Sequence, residues 1–165
     1  MICDSVKTKG VLMSGVTAFL ESVADIVRKR DVFGDLQIGA SSLRCRAKDA
    51  AAEAWYSLEQ QDNAWRISLY TRDRWLSESI ETDLMHHGDP LEELIEEELV
   101  DLGGEGSVPP PKHFRADDKS YVFSNLVPEV CDLAESTTAV HVATWLLAYE
   151  AAFRNLGDMS GSDQA

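Results

Sequence analysis

The segment EAWYSLEQ-QDN-AWRISLYTR, residues 53–72, restricts the fold more than any other stretch of this chain. Its second half sends Trp65, Ile67 and Leu69 to one side and Arg66, Ser68 and Tyr70 to the other. Such alternation marks a strand with one buried face, because successive strand side chains point to opposite sides of a sheet. The first half places Ala54, Tyr56 and Leu58 together, and Gln61-Asp62-Asn63 supplies turn chemistry between the two. The pair reads as an antiparallel hairpin.

The flanking segments supply helices. SGVTAFLESVADIVRKR, from Ser14 to Arg30, repeats Val16, Phe19, Leu20, Val23, Ile26 and Val27 at helical spacing. Arg28, Lys29 and Arg30 suit the negative end of its dipole, and Gly34 reads as its stop. DLQIGASSLRCRA alternates loosely and reads as a third strand. DRWLSESIETDLM fits a strand or a helix; Leu76, Ile80 and Leu84, four apart, favour a short helix running to Gly88. GGEGSVPPPKH, from Gly103 to His113, is a surface loop. HFRADDKSYVFSNL forms a second hairpin about an ADDK turn, closed by Pro128. STTAVHVATWLLAYEAAFRNLG is the last helix, capped by Ser136 or Thr137 and stopped by Gly157. The expected fold class is therefore α+β, an antiparallel sheet flanked by helices in the order α-βββ-α-ββ-α. One domain spans residues 14–157, with residues 1–13 and 158–165 flexible.

Trp55, Trp65 and Trp75 recur at ten-residue steps. An aromatic binding strip would have that spacing, but so would tryptophans packing a sheet against helices, and packing is the commoner use of large aromatics.

MHHGDPLEELIEEELVDLGGEG, residues 85–106, holds two histidines, eight carboxylates and no lysine or arginine. Asp89, Pro90 and Glu92 fit a helix start with a capping box. Leu91, Ile95, Leu99 and Leu102 make an apolar stripe, which throws Glu92, Glu93, Glu96, Glu97 and Asp101 outward. Like-charge pairs four apart each cost a few tenths of a kcal/mol, about 0.2–0.5 in an isolated helix, so Arg72, Arg74, the 112–115 segment or another molecule is expected to answer them. A dimetal site would need Glu-x-x-His aimed into a bundle, and a zincin would need HExxH. Neither pattern occurs, so no metal and no cofactor is expected. His86 and His87 suit the C-terminus of the preceding helix. There is no GxSxG, no phosphate loop after a strand, and no partner in sequence for His113 or His141, so no catalytic residue is assigned.

A net charge of -14 repels phosphate backbones and anionic lipid, which argues against nucleic acid and membrane surfaces as partners. It suits a basic protein partner. Lys7 and Lys9 precede a modestly apolar run, but Glu21 beside the SVA triplet argues against a secretory signal. Cys3, Cys45 and Cys131 are widely spaced and odd in number, which points away from a disulfide framework and toward a reducing cytoplasm.

The helix–strand order, the small acidic chain and the amphipathic C-terminal helix TTAVHVATWLLAYEAAFRNLG together resemble the type III secretion chaperone-like fold shared by the YbjN family of bacterial regulators. In that resemblance KSYVFSNLVPEV is the last strand leading into the helix. The proline loop and residues 74–85 depart from it. The resemblance implies a non-enzymatic module, chaperone-like or regulatory and often a homodimer, that binds a segment of another protein. Some of Trp55, Tyr56, Trp65, Tyr70 and Trp75 would line an apolar groove on the sheet. Glu93, Glu96 and Glu97 would favour basic partners. The competing expectation is a small enzyme with a His/carboxylate cleft near residues 86–101.

Overall fold

The computed structural model describes residues 9–104 and 107–160, with side chains from residue 15 onward. It contains α1 (Lys9–Arg30), β1 (Phe33–Ile38), β2 (Ser42–Ala47), β3 (Ala54–Gln61) and β4 (Ala64–Thr71). These are followed by α2 (Arg74–His87), α3 (Leu91–Asp101), β5 (Lys112–Arg115), β6 (Tyr121–Val127), α4 (Ser136–Arg154) and a 3-10 turn (Gly157–Ser160). One antiparallel sheet runs in the order β1-β2-β3-β4-β6-β5. The fold is α+β, as expected, but four strands precede two helices where three strands and one helix were expected.

Both differences have local causes. The loose alternation of residues 35–47 hides a tight turn, in which Gly39 N–H donates to the Ser42 carbonyl at 2.7 Å, so the stretch folds into two paired strands. The segment after β4 is a helix because its ends are capped on both sides. Asp73 accepts from the Leu76 amide, and Gly88 closes it in the left-handed conformation at φ 86. That glycine separates α2 from α3.

Several helix ends differ from expectation by a few residues. α1 begins at Lys9 and leaves through Asp31 at φ 54, while Gly34 lies inside β1. Pro90 is the extended N-cap of α3, and no side-chain cap forms there, so the capping box from Asp89 and Glu92 is absent. Glu135, not Ser136 or Thr137, occupies the cap position of α4. The packed structure also continues past Leu156, since Met159 is buried and Asp158 N–H donates to Ser79.

Helices cover one face of the sheet. α1 packs on β1 and β2, α4 packs on β3 and β4, and α3 lies on α4. The core between them holds Trp65, Ile67, Leu69 and Tyr56 from the hairpin, with Phe19, Val142, Trp145, Tyr149 and Phe153 from the helices. Phe19 meets Trp65 edge-on at 5.1 Å, and Phe123 meets Phe153 at 5.3 Å. Cys45 is free and buried, and burial pushes its thiol up to about 12, so it is an inert core residue. Cys131 is disulfide-bonded, which departs from the expectation drawn from cysteine spacing and removes its support for a reducing compartment. Among the described residues no helix is long and apolar enough to cross a membrane.

Candidate functional site on the open sheet face

The face turned away from the helices is organised by strand register into three cross-strand rows. In the central row Arg44 faces Ser57, Ser57 faces Ser68, Ser68 faces Ser124, and Ser124 faces Lys112. On one side of it Arg46, Trp55, Tyr70, Val122 and Phe114 are successive partners. On the other side Ser42, Glu59, Arg66 and Leu126 pair in turn. Three serines between two rows of larger side chains leave a trough running across the strands. Strand and turn residues alone line its cavity of ≈ 480 Å³. A second depression of ≈ 500 Å³ adjoins it and shares Arg44, Tyr70, Asp118 and Ser120.

The polar groups of the trough are held in place. Arg44 lies over the Trp55 ring at 4.8 Å and over Tyr70 at 5.5 Å, and its Nε donates to the Tyr70 hydroxyl. Trp55 is fixed in turn by donating from Nε1 to Glu53 at 2.8 Å. Burial raises the Tyr70 phenol above its ordinary value, against the opposing pull of Arg44. The phenol therefore keeps its proton and can donate it into the trough. Arg66 donates from Nε to Ser124 Oγ at 3.0 Å, and the Ser68 hydroxyl donates to the same oxygen at 3.1 Å. Each guanidinium thus commits its inner nitrogen to the face, and both side chains line the trough.

Cations outnumber carboxylates at the outward positions of β2 to β6, unlike in the chain as a whole. The outward positions of β2 to β6 carry Arg44, Arg46, Arg66 and Lys112 against the single carboxylate Glu59. Asp118 sits on the rim, where its carboxyl is held below the ordinary range by hydrogen bonds from Ser120, and it pairs with Arg72 at 3.8 Å. Among the described residues none of the four face cations has an ion pair, although Arg28, Lys48, Arg74 and Arg154 elsewhere all do.

The aromatic residues expected to line one groove are divided by the sheet. Tyr56 and Trp65 point into the helix-covered core, 1% and 3% exposed. Trp55 and Tyr70 are direct cross-strand partners on the open face; Tyr70 lines the trough, while Trp55, 9% exposed beneath Arg44, lines the adjoining depression. Trp75 stands apart on the first turn of α2, 75% exposed. The ten-residue spacing of the tryptophans therefore marks no common surface. Arg44, Arg66, Lys112, Phe114 and the serine row went unrecognised in the sequence; Ser42-Arg44-Arg46 and Arg66-Ser68-Tyr70 carry the signal, but only register joins them.

The acidic helix lies elsewhere. Glu93 and Glu97 are exposed on α3, while Glu96 accepts the Val108 N–H at 3.0 Å and so pins the proline loop. Two of the cations expected to answer this face pair elsewhere among the described residues, Arg72 with Asp118 and Arg74 with Glu78. Burial and the neighbouring Asp101 raise the Glu98 carboxyl above its ordinary value.

Histidine geometry bears on the enzyme expectation. His86 and His87 are exposed at the end of α2; His86 contacts the Thr82 carbonyl of its own helix, and His87 lies 3.7 Å from Asp89. Among the described residues neither meets a carboxylate from another helix or strand. His113 does meet a carboxylate from another element, Glu81 at 2.8 Å, but its second nitrogen faces the Val122 carbonyl at 2.9 Å. With both nitrogens taken, the ring, stacked 3.9 Å over Phe123, clamps β5 to α2. No group of three or more metal-ligating side chains occurs among the described residues. A recess beside Tyr56 contains Glu150, Arg154, Lys48 and Asp31, but these charges pair with each other.

No known family, no curated protein and no solved structure matches this chain. The resemblance to type III secretion chaperone-like proteins draws on an order with three strands and one central helix, where the structure has four strands and two helices, and it otherwise rests on composition and the C-terminal helix.

Proposed function

We propose that the protein is a non-enzymatic binding module, chaperone-like or regulatory, that takes a segment of another protein on its open sheet face. The observation that carries this reading is the trough: a surface of Tyr70, Phe114, Arg44 and Arg66 over a serine floor, lined by strand and turn residues alone among the described residues, with Trp55 in the adjoining depression. Aromatic residues and arginine are the types enriched at protein interfaces and at their energetic centres. The exposed acids of α3, including Glu93 and Glu97, form a second charged surface that suits a basic contact of the same or another partner.

The test is native co-purification from the cell of origin with a C-terminal tag. Wild type is compared with an Arg66→Glu/Phe114→Ser variant and with a Glu93→Gln/Glu97→Gln variant, each checked for native circular dichroism. The expected result is a stoichiometric companion that the sheet variant loses and the α3 variant retains. A companion lost only by the α3 variant moves the docking surface to the acidic helix, and a clean protein in every case contradicts the reading. A companion that proves to be a second copy identifies the face as a homodimer surface.

A further inference from the structure

We infer that the occupant of the trough is an acidic segment in extended conformation, read by Arg44, Arg66 and Lys112. This deepens the protein-binding reading above and rests on it. The first argument is charge. A chain of net charge -14 places four cations at the outward positions of β2 to β6, against Glu59 there and Asp118 on the rim. Three of those cations, Arg44, Arg46 and Arg66, are guanidiniums, and among the described residues none has a carboxylate partner; Arg44 and Arg66 bond to the face through Nε. A guanidinium fork matches a carboxylate in geometry as well as charge.

The second argument is shape and hydrogen bonding. From β2 to β5 the central row crosses four strand spacings, about 19 Å at ~4.8 Å each, which an extended peptide covers in about six residues. Its floor consists of the hydroxyls of Ser57, Ser68 and Ser124, with the Tyr70 O–H on its wall. A helix satisfies its own backbone groups and would leave such a floor unused, whereas an extended chain presents free N–H and C=O groups to it. Arg44 and Lys112 stand at the two ends of the row, so acidic side chains near both ends of the segment meet a cation.

The experiment is fluorescence anisotropy of the full chain with a labelled nine-residue peptide alternating Glu and Thr. Its Lys/Thr counterpart and an eight-nucleotide oligothymidylate serve as comparisons. The acidic peptide is expected to bind at least tenfold tighter than the basic one and to weaken as salt rises from 50 to 300 mM, on the order of severalfold as screening shortens the field. Arg44→Gln/Arg66→Gln is expected to weaken it at least tenfold. If that variant misfolds, the exposed pair Arg46→Gln/Lys112→Gln is the substitute, with a smaller loss in the same direction. Equal binding of the two peptides, no binding of the acidic one, or indifference to the substitutions overturns the inference. Tighter binding of the oligonucleotide, lost in the same variants, overturns it in favour of a single-stranded nucleic acid. A face-dependent companion in co-purification together with charge-indifferent peptide binding defeats the acidic-segment inference alone, whereas no companion and no peptide binding defeats both.

Discussion

Gly157→Ala is expected to destabilise the protein by about 2–5 kcal/mol, the sum of an overpacking cost of about 1–3 and a left-handed backbone cost of about 1–2. Gly157 adopts φ +52, and a β-carbon there would lie 2.5 Å from Ser79 Oγ, 2.6 Å from the Ser79 carbonyl carbon and 2.7 Å from Ile80 N. Two of those three atoms belong to the α2 backbone and cannot rotate away. The same residue donates its N–H to Asp83 at 2.8 Å, and Asp158 bonds to both Ser79 and Ala51. The turn after α4 is therefore the joint that fixes α2 to the body of the fold. Urea unfolding followed by circular dichroism measures the loss as a lower midpoint at unchanged slope. A shift equivalent to under about 0.5 kcal/mol, the range of ordinary surface changes, would show that the joint is loose.

Asn125→Ala is expected to cost about 2–4 kcal/mol, because it strands hydrogen-bonding partners in the interior as well as removing volume. Asn125 is fully buried on β6; its Oδ1 accepts from the Tyr149 hydroxyl at 2.8 Å, and its Nδ2 donates to the Pro109 carbonyl at 2.7 Å. One side chain thus ties α4, the sheet and the proline loop together. Burial raises the Tyr149 phenol well above its ordinary value, so its O–H remains a donor throughout the physiological range. Tyr149→Phe removes one bond of the two and is expected to cost less, about 1–2 kcal/mol. A double-mutant cycle on these two positions should show strong coupling, and simple additivity would contradict the shared network.

The elements were legible where one periodicity dominated. β4 alternates without a break because one of its faces meets α4 and the other meets the trough, and the stripe Val142, Trp145, Leu146, Tyr149 and Phe153 of α4 is buried throughout. The β1–β2 turn was missed because Gly39 interrupts an alternation whose phase differs on its two sides, and a one-residue change of phase moves every side chain to the opposite face. The site was less legible than the fold. Trp55 and Trp65 both read as strand aromatics, yet they belong to opposite faces of the sheet. The serine row joins residues from β3, β4 and β6 that only tertiary register brings side by side, with Ser124 lying 56 positions beyond Ser68. Net charge pointed toward basic partners because it averages over the molecule, whereas a docking segment meets only the local field. On the open face the outward positions of β2 to β6 carry more cations than carboxylates, while the acids of α3 lie on the helical side.

The claim that the open sheet face receives another protein is tested most directly by placing a photo-crosslinking amino acid at Phe114, which is 47% exposed beside the trough, and in parallel at Val140, which is 53% exposed on α4. Both sites tolerate a bulky aromatic, so the two proteins differ only in where the probe points. Irradiation in the cell of origin, followed by denaturing purification and mass spectrometry, is expected to give a reproducible adduct with one protein at position 114 and none at position 140. Adducts at position 140 alone, or the same diffuse background at both positions, would contradict the assignment of this face as the binding site.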